Sequence, residues 1–318
     1  MGLWFLWLAI FYSAWATTNV ILELWDETAA HWPIALAMAL GSYVAGSTPM
    51  GGGTVGFPVL VLLFDMPASL GRNFGLMVQS IGMTSASIFI LCRRTPIEVR
   101  ILLWCALGAA IGLVLGTFLV VPLVSDTAVK LAFACLWASF GVLTLIKNRE
   151  FCSLDTIPRA RPSEARNLGL LVGVIGGVTT ALTGVGIDMM LYTLLVLLYR
   201  MDLKAAVPTS VIIMAASSVM GVVLHLLIGD LDAEVFYHWM AASPVVILGA
   251  PLGAFLVSVI SREKTLYFVA VLCVLQFVWT LHQVEVGALQ AVFVVANLAL
   301  ASLGFLLLYR LGRARQRP

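Results

Sequence analysis

The hydrophobic pattern of this chain consists of long apolar runs that charged residues seldom interrupt. An α-helix needs about 20 mostly apolar residues to cross the roughly 30 Å hydrocarbon core of a bilayer. Eight runs have that length, and each predicts a transmembrane helix. They cover residues 3–22, 68–91, 99–121, 128–146, 204–228, 239–260, 265–282 and 287–309.

Two further apolar stretches, residues 33–64 and 168–199, are interrupted near their middle by glycine. Each is too long for one ordinary span and too short for two. Lys and Arg accumulate on the cytoplasmic side of membrane proteins, and 16 of the 18 basic residues lie in five connecting or terminal segments. If these five segments are all cytoplasmic, each interrupted stretch begins and ends on one side. The pattern therefore predicts two re-entrant hairpins of broken helix.

Composition confirms that the apolar runs belong to a membrane protein. Hydrophobic residues make up 61% of the chain and charged residues 11%, whereas soluble domains are about a quarter charged and half apolar. Soluble enzymes, disordered regulators and secreted disulfide scaffolds are thereby excluded. We expect an all-α polytopic protein of a bacterial-type inner membrane, with the segment 147–166 and the C-terminus in the cytoplasm. The first run lacks a basic n-region, so it is read as a span, not a signal peptide.

The two interrupted stretches resemble each other at an offset of 135 residues. The run LVLLF at 60–64 recurs as LVLLY at 195–199, and Thr48 and Gly51 recur as Thr183 and Gly186. Because one stretch enters from outside and the other from inside, the halves are inverted repeats, which are typical of secondary transporters. The predicted parts are a first helix and outer loop (1–32), repeat 1 (33–146), a cytoplasmic linker (147–166), repeat 2 (167–282), and a last helix with a basic tail (283–318).

The tip of the first hairpin has the composition of a binding site. Pro49 ends a helix, and the following glycines let the backbone approach a ligand closely. A helix that restarts after Gly53 would direct free N–H groups and a positive dipole end toward an anion. The alternative is a glycine cluster that only allows tight helix packing. The candidate substrate-binding residues of this tip are Thr48, Gly51, Gly52, Gly53 and Thr54.

The tip of the second hairpin contains Thr183, Gly184, Gly186 and a carboxylate, Asp188. An ionisable residue near the membrane midplane indicates function by default, so Asp188 is a candidate for coupling transport to a proton or another cation. Its place before an apolar run equally suits a helix N-cap. Both interpretations stay open at this point.

Polar residues on the helices after the hairpins can complete a pocket. Asn73 and Gln79 follow the first hairpin, and Thr209 and Ser210 follow the second, although such residues also serve helix packing. Arg72 lies about one turn into its helix on the predicted outer side. It is a candidate to attract or release anions there, or to pair with Asp65.

Other classes of site find little support. The five cysteines are scattered without metal-ligand spacing, so neither a metal nor a cofactor is expected. A basic patch interleaved with aromatic residues, which would indicate a nucleic-acid partner, is also lacking. The predicted spans contain no H-E-x-x-H motif, no G-x-S-x-G motif and no paired aspartates, which an intramembrane enzyme would be expected to carry. The expected partners are the lipid bilayer, a small anion, and a coupled proton or cation.

These motifs carry a resemblance to a known family. The glycine triplet 51–53 followed by the run PVL at 58–60, within two repeated halves, resembles the sulfite exporter TauE/SafE family of membrane transporters. The second tip departs from the family pattern, because residues 184–188 (GVGID) stand where the family often repeats the triplet. The resemblance implies export of a small sulfur-containing anion such as sulfite, a sulfonate or sulfoacetate. Uptake of another small anion, or an anion channel, is the alternative.

Overall fold

The computed structural model of the chain describes residues 1–51, 53–155, 161–256 and 262–315. Over these residues the protein is a bundle of helices joined by short connections. The helices are α1 (Gly2–Ile21), α2 (Trp25–Ala30), α3 (Trp32–Ser47), α4 (Gly53–Pro58), α5 (Ala68–Cys92), α6 (Val99–Leu115), α7 (Asp126–Cys152), α8 (Pro162–Thr183), α9 (Ile187–Thr193), α10 (Leu203–Ile228), α11 (Ala233–Leu256), α12 (Arg262–Gln283) and α13 (Ala288–Arg315).

The prediction of an all-α polytopic membrane protein is confirmed. Nine helices among the described residues are long and apolar enough to cross a membrane. In the most apolar 18-residue window, 72% of α5 and 61% of α7 are buried, whereas only 11% of α1 and of α13 are. The helices α5 and α7 are therefore central, and α1 and α13 lie at the periphery of the bundle.

Both interrupted stretches break where the glycines predict it. The first break separates α3 from α4, and the second separates α8 from α9. With 22 residues α8 extends about 33 Å, longer than the predicted half-helix, because it begins inside the basic segment with Pro162 in its first turn. Likewise α7 continues past residue 146 to Cys152. The re-entrant course of the two stretches stays a prediction.

Local structure recurs at the same offset of 135 residues as the sequence. A π-helical turn occupies Val59–Leu63 and again Leu194–Leu198. Asp65 and Arg200 follow these turns, and both have positive φ, 53° and 55°. The next helices begin at equivalent residues, Ala68 and Leu203. These recurrences favour the internal repeat, while the opposite orientation of the halves stays a prediction.

Glycine allows the closest helix contacts of the bundle. Helix α6 packs on α8, and α3 packs on α11, so the first helix of each interrupted stretch contacts a helix of the other half. A Cβ atom added at Gly173 of α8 would lie 2.9 Å from Gly108 Cα and 2.9 Å from Ala109 N of α6. Small residues let helix backbones approach in this way, and close packing is what holds helices together in lipid.

An aromatic stack fixes the two interrupted stretches relative to α7. Phe57 of α4 stacks on Phe133 at 4.6 Å between ring centroids, and Phe133 stacks on Trp137 at 4.2 Å. Trp137 is fully buried, and its ring edge lies 3.4 Å from the position of a Cβ atom at Gly186. One row of rings thus runs from the first stretch to the second break.

We predict that Gly173→Ala destabilises the protein and that Gly304→Ala does not. The added methyl group in α8 would collide with the backbone of α6, and overpacking of this kind costs about 1–3 kcal/mol. Gly304 is the matched control, because a Cβ atom there meets no other atom within 4 Å. Thermal unfolding in detergent measures the difference, and equal melting temperatures for the two variants would contradict the packing described here.

Candidate functional site

The two chain breaks lie against each other inside the bundle. Gly51 has a φ of +65°, and a Cβ atom added there would lie 2.5 Å from Gln79 Oε1 and 2.8 Å from Asp188 Oδ2. Gln79 Nε2 donates hydrogen bonds of 3.0 Å to the carbonyl oxygens of Gly184 and Gly75. The side chain of Gln79 therefore bridges the first break, the second break and α5. Four of the predicted site residues, Gly51, Gln79, Gly184 and Asp188, meet at this point.

Asp188 is not the N-cap that the sequence allowed. Helix α9 begins at Ile187 with Gly186 as its N-cap residue, so Asp188 already lies in the first turn. Its Oδ1 atom accepts a hydrogen bond of 2.9 Å from the backbone N–H of Met189. Its Oδ2 atom is buried and has no hydrogen-bond partner among the described residues. Helix capping thus accounts for only one of the two carboxylate oxygens.

The predicted residues Thr48 and Thr183 hydrogen-bond to backbone carbonyl groups close by in the chain. The Thr48 hydroxyl donates to Val44 O at 2.7 Å, and the Thr183 hydroxyl donates to Val185 O at 2.9 Å. Gly53 begins α4, and Thr54 is its second residue. Gly52 lies outside the described residues, so its predicted role stays a prediction.

Three other predicted residues lie away from the meeting point of the breaks. The Thr209 hydroxyl accepts a hydrogen bond of 3.0 Å from the backbone N–H of Glu98, just before α6. The Ser210 hydroxyl donates to Val207 O at 2.8 Å. Asn73 donates to Asp230 O at 2.5 Å. These contacts agree with helix packing, the alternative that the sequence left open, and a substrate-binding role of Thr209 and Ser210 stays a prediction.

Arg72 forms an ion pair across the two halves, and the pair with Asp65 that the sequence suggested was the wrong one. Arg72 is 4% exposed, and its Nη2 atom lies 2.6 Å from Asp230 Oδ2. Asp230 follows α10, 158 residues away, and His225 Nδ1 lies 3.0 Å from the same oxygen. Arg72 Nε also donates to Asn73 Oδ1 at 2.9 Å. We call these four residues, Arg72, Asn73, His225 and Asp230, the ion-pair cluster.

A cavity of about 340 Å³ opens on another side of the bundle. Gly46 and Ser47, the last residues of α3 before the first break, line it together with mostly apolar side chains. Three cationic residues also line it: Arg93, Arg94 and Lys204. Arg93 is held between two aromatic rings, 5.6 Å from the centroid of Phe89 and 5.3 Å from that of Phe255. We call this space the basic cavity.

Sequence reasoning used the cations of the basic cavity only as markers of membrane orientation. Their spacing, an Arg-Arg pair in one loop and a lysine about 110 residues later, carries no signal that they share a cavity. Asp230 and His225 were missed as partners of Arg72 for the same reason. Both findings depend on how the two halves pack, which a single sequence does not display.

A helical bundle in which two interrupted helices meet, and which holds a charged cavity beside one of the breaks, has the architecture of a secondary membrane transporter. Residues 33–280 match the sequence model of the family described as Sulfite exporter TauE/SafE. Since the match covers well over half of the chain, the protein belongs to the sulfite exporter TauE/SafE family and is a multi-pass membrane transporter. No curated protein and no solved structure in our comparisons matches the chain.

We predict that Arg72 and Asp230 are energetically coupled. In a double-mutant cycle with Arg72→Met and Asp230→Asn, the coupling in the free energy of unfolding should be about 0.5–3 kcal/mol, because contacting residues in one polar network do not act additively. The matched control is the pair Arg149–Glu263, whose side chains are 94% and 50% exposed; exposed pairs contribute about 0–1 kcal/mol. Additive effects at Arg72 and Asp230 would show that the pair contributes no net stability.

Proposed function

We propose that this protein exports a small sulfur-containing anion, of the sulfite, sulfonate or sulfoacetate type, by alternating access. The observation that carries the proposal is the basic cavity, which combines three cationic residues with the end of α3 at the first chain break. Its volume of about 340 Å³ equals that of about ten water molecules. A small anion with part of its hydration shell fits such a space.

The charges of the cavity favour entry of an anion from its side of the membrane. Clefts lined by cations concentrate anions and raise their association rates. The loop with Arg93 and Arg94 and the start of α10 with Lys204 are on the predicted cytoplasmic side. An anion from the cytoplasm would therefore meet the cations first and then Ser47 at the break.

The ion-pair cluster supports the alternating-access part of the proposal. At the repeat offset of 135, Arg72 and Asn73 correspond to Val207 and Pro208, and His225 and Asp230 correspond to Ile90 and Thr95. All four counterparts line the basic cavity. The ion-pair cluster and the basic cavity thus occupy equivalent places in the repeat. The first is closed by contacts between side chains, and the second is open. We assign the cluster as the outer gate and the structure as the inward-open state.

We predict that removing the two loop cations weakens transport of the anion. In proteoliposomes, Arg93→Gln with Arg94→Asn should raise the KM for sulfite or a sulfonate about tenfold, and added salt should reduce the difference by screening. Asn suits position 94, because Arg94 has a φ of 53° and Asn tolerates the left-handed region. Arg166→Gln, an exposed cation outside the cavity, is the control.

The same flux assay tests the substrate class and the mechanism. The panel contains sulfite, sulfate, sulfoacetate, taurine and acetate, each supplied from either side of the vesicle membrane. Saturation and acceleration by substrate on the opposite side are expected of a carrier, and their absence would favour a channel. Transport of acetate alone would contradict the sulfur-anion assignment, and uptake that clearly exceeds export would reverse the proposed direction.

We predict that Val207→Cys in a background without the five native cysteines reacts with a membrane-impermeant thiol reagent from the cytoplasmic side. Val207 lines the basic cavity and is partly exposed.

The transported anion should slow the labelling of Val207→Cys. Adding Asp230→Asn should slow it too, because opening of the outer gate lowers the inward-open population. Ser153→Cys, exposed just after α7, should react at the same rate under all conditions. Labelling of Val207→Cys only from the opposite side would refute the assigned orientation.

A further inference from the structure

Two buried oxygen atoms at the meeting point of the breaks have no hydrogen-bond partner among the residues that the structure describes. Gln79 Oε1 and Asp188 Oδ2 are both buried, and neither has a hydrogen-bond partner among the described residues. Gln79 is 2% exposed and Asp188 is fully buried. Buried polar atoms are nearly always paired, so each exception calls for a physical explanation. Here two exceptions flank one glycine, Gly51.

The orientation of Gln79 cannot be reversed to supply the missing donor. Its Nε2 atom already donates to two carbonyl oxygens, Gly75 O and Gly184 O, at 3.0 Å each. Turning the amide over would place its Oε1 atom against those two acceptors. The amide oxygen therefore faces Gly51 and the Asp188 carboxylate. Two oxygen atoms that carry lone pairs and no hydrogen therefore lie on either side of Gly51.

No charged side chain among the described residues pairs with Asp188. The one cation near the second break, Arg72, places its backbone carbonyl beside Gly184, but its guanidinium group binds Asp230. The titratable groups on the elements around the second break include Tyr192, one turn further along α9, and Cys273, whose sulfur lies 3.4 Å from Met50 Sδ. An ionised carboxylate in such a place is expensive unless a cation accompanies it.

We propose that Asp188 Oδ2 and Gln79 Oε1, with the Gly51 backbone between them, form a binding site for a monovalent cation, H⁺ or Na⁺. A proton on Asp188 would donate to the Gln79 oxygen, and a sodium ion would be coordinated by both oxygens. Interrupted helices of secondary transporters hold coupling ions in this way. Gly51 is required because any side chain there would fill the space between the two oxygens.

The site also explains an asymmetry between the repeats. At the offset of 135, Asp188 corresponds to Gly53, so only the second break carries a carboxylate. A bound cation neutralises that carboxylate close to the first break, where the proposed anion binds beside Ser47. Cation and anion should therefore bind cooperatively. This coupling rests on the proposed function, whereas the cation site itself does not.

Thermal unfolding of the purified full-length protein, without any substrate anion, tests the cation site. If the cation is sodium, Na⁺ but not choline raises the melting temperature with saturation, and Asp188→Asn abolishes the shift. If it is a proton, Na⁺ has no specific effect, and the infrared carbonyl band of a buried protonated carboxyl disappears in Asp188→Asn. Asp232→Asn, in an exposed loop, is the control. Equal sodium responses and equal carboxyl bands in the wild type and Asp188→Asn would overturn the proposal.

A second variant keeps the test decisive should Asp188→Asn fail to fold. Gln79→Leu removes the second oxygen, and we expect it to weaken sodium binding about tenfold or more, or to shift the carboxyl band. The matched control is Gln276→Leu, which removes another buried glutamine side chain without hydrogen-bond partners among the described residues. If Gln79→Leu and Gln276→Leu behave alike, Gln79 is no ligand and the site is refuted.

Anion affinity measured with and without the cation separates the two proposals. Cooperative binding should raise the affinity for the anion about fivefold or more, and Asp188→Asn should remove the effect. Cation binding that depends on Asp188, without flux of any sulfur-containing anion, would contradict only the proposed function. Flux of the anion without such cation binding would contradict only the cation site.

Discussion

The contact between the two chain breaks is the constraint on which the rest of the structure depends. Each break leaves backbone groups that lipid could not satisfy. A single amide side chain, Gln79, donates to Gly184 O of the second break and places its Oε1 atom beside Gly51 of the first. The close packing of α3 on α11 and of α6 on α8 joins the first helix of each interrupted stretch to the other half. A bulky residue at a glycine of either helix pair would push them apart. Helix packing and site geometry are therefore two aspects of one arrangement.

The sequence predicts the helices well because the membrane enforces a simple rule. Length and apolarity identify the spans, and glycine identifies both breaks, the first after α3 and the second between α8 and α9. Helix ends were less predictable, since α7 continues into the basic segment through contacts such as that of Lys147 with Glu150, at 3.3 Å. Such i,i+3 pairs of charged side chains can stabilise a helix, but a hydropathy pattern does not reveal them.

The candidate site was predictable only in part, because some of its contacts join residues that are far apart in the sequence. Glycines and an intramembrane carboxylate stand out locally, so Gly51 and Asp188 could be named. Arg72 could be named as well, but not its partner Asp230, because the contact joins the two halves. The Thr209 hydroxyl accepts a hydrogen bond from the backbone of Glu98, just before α6, and the Ser210 hydroxyl donates to the backbone of Val207 in its own helix. Local composition cannot distinguish a hydroxyl that faces a ligand from one that faces a carbonyl group.

The imperfect symmetry of the repeats bears on the proposed mechanism. If the halves exchange conformations, Val207, Pro208, Ile90 and Thr95 must close the inner side, yet these residues cannot reproduce an ion pair such as Arg72–Asp230. The outward-open state would thus lose a charge pair and gain no ion pair between these four residues. Its population without ligands should be small, and a ligand can shift such an equilibrium only by its differential affinity for the two states. A cation at Asp188 and an anion beside Ser47, bound together, are well placed to provide that difference, because Asp188 directly follows the second break and Ser47 directly precedes the first.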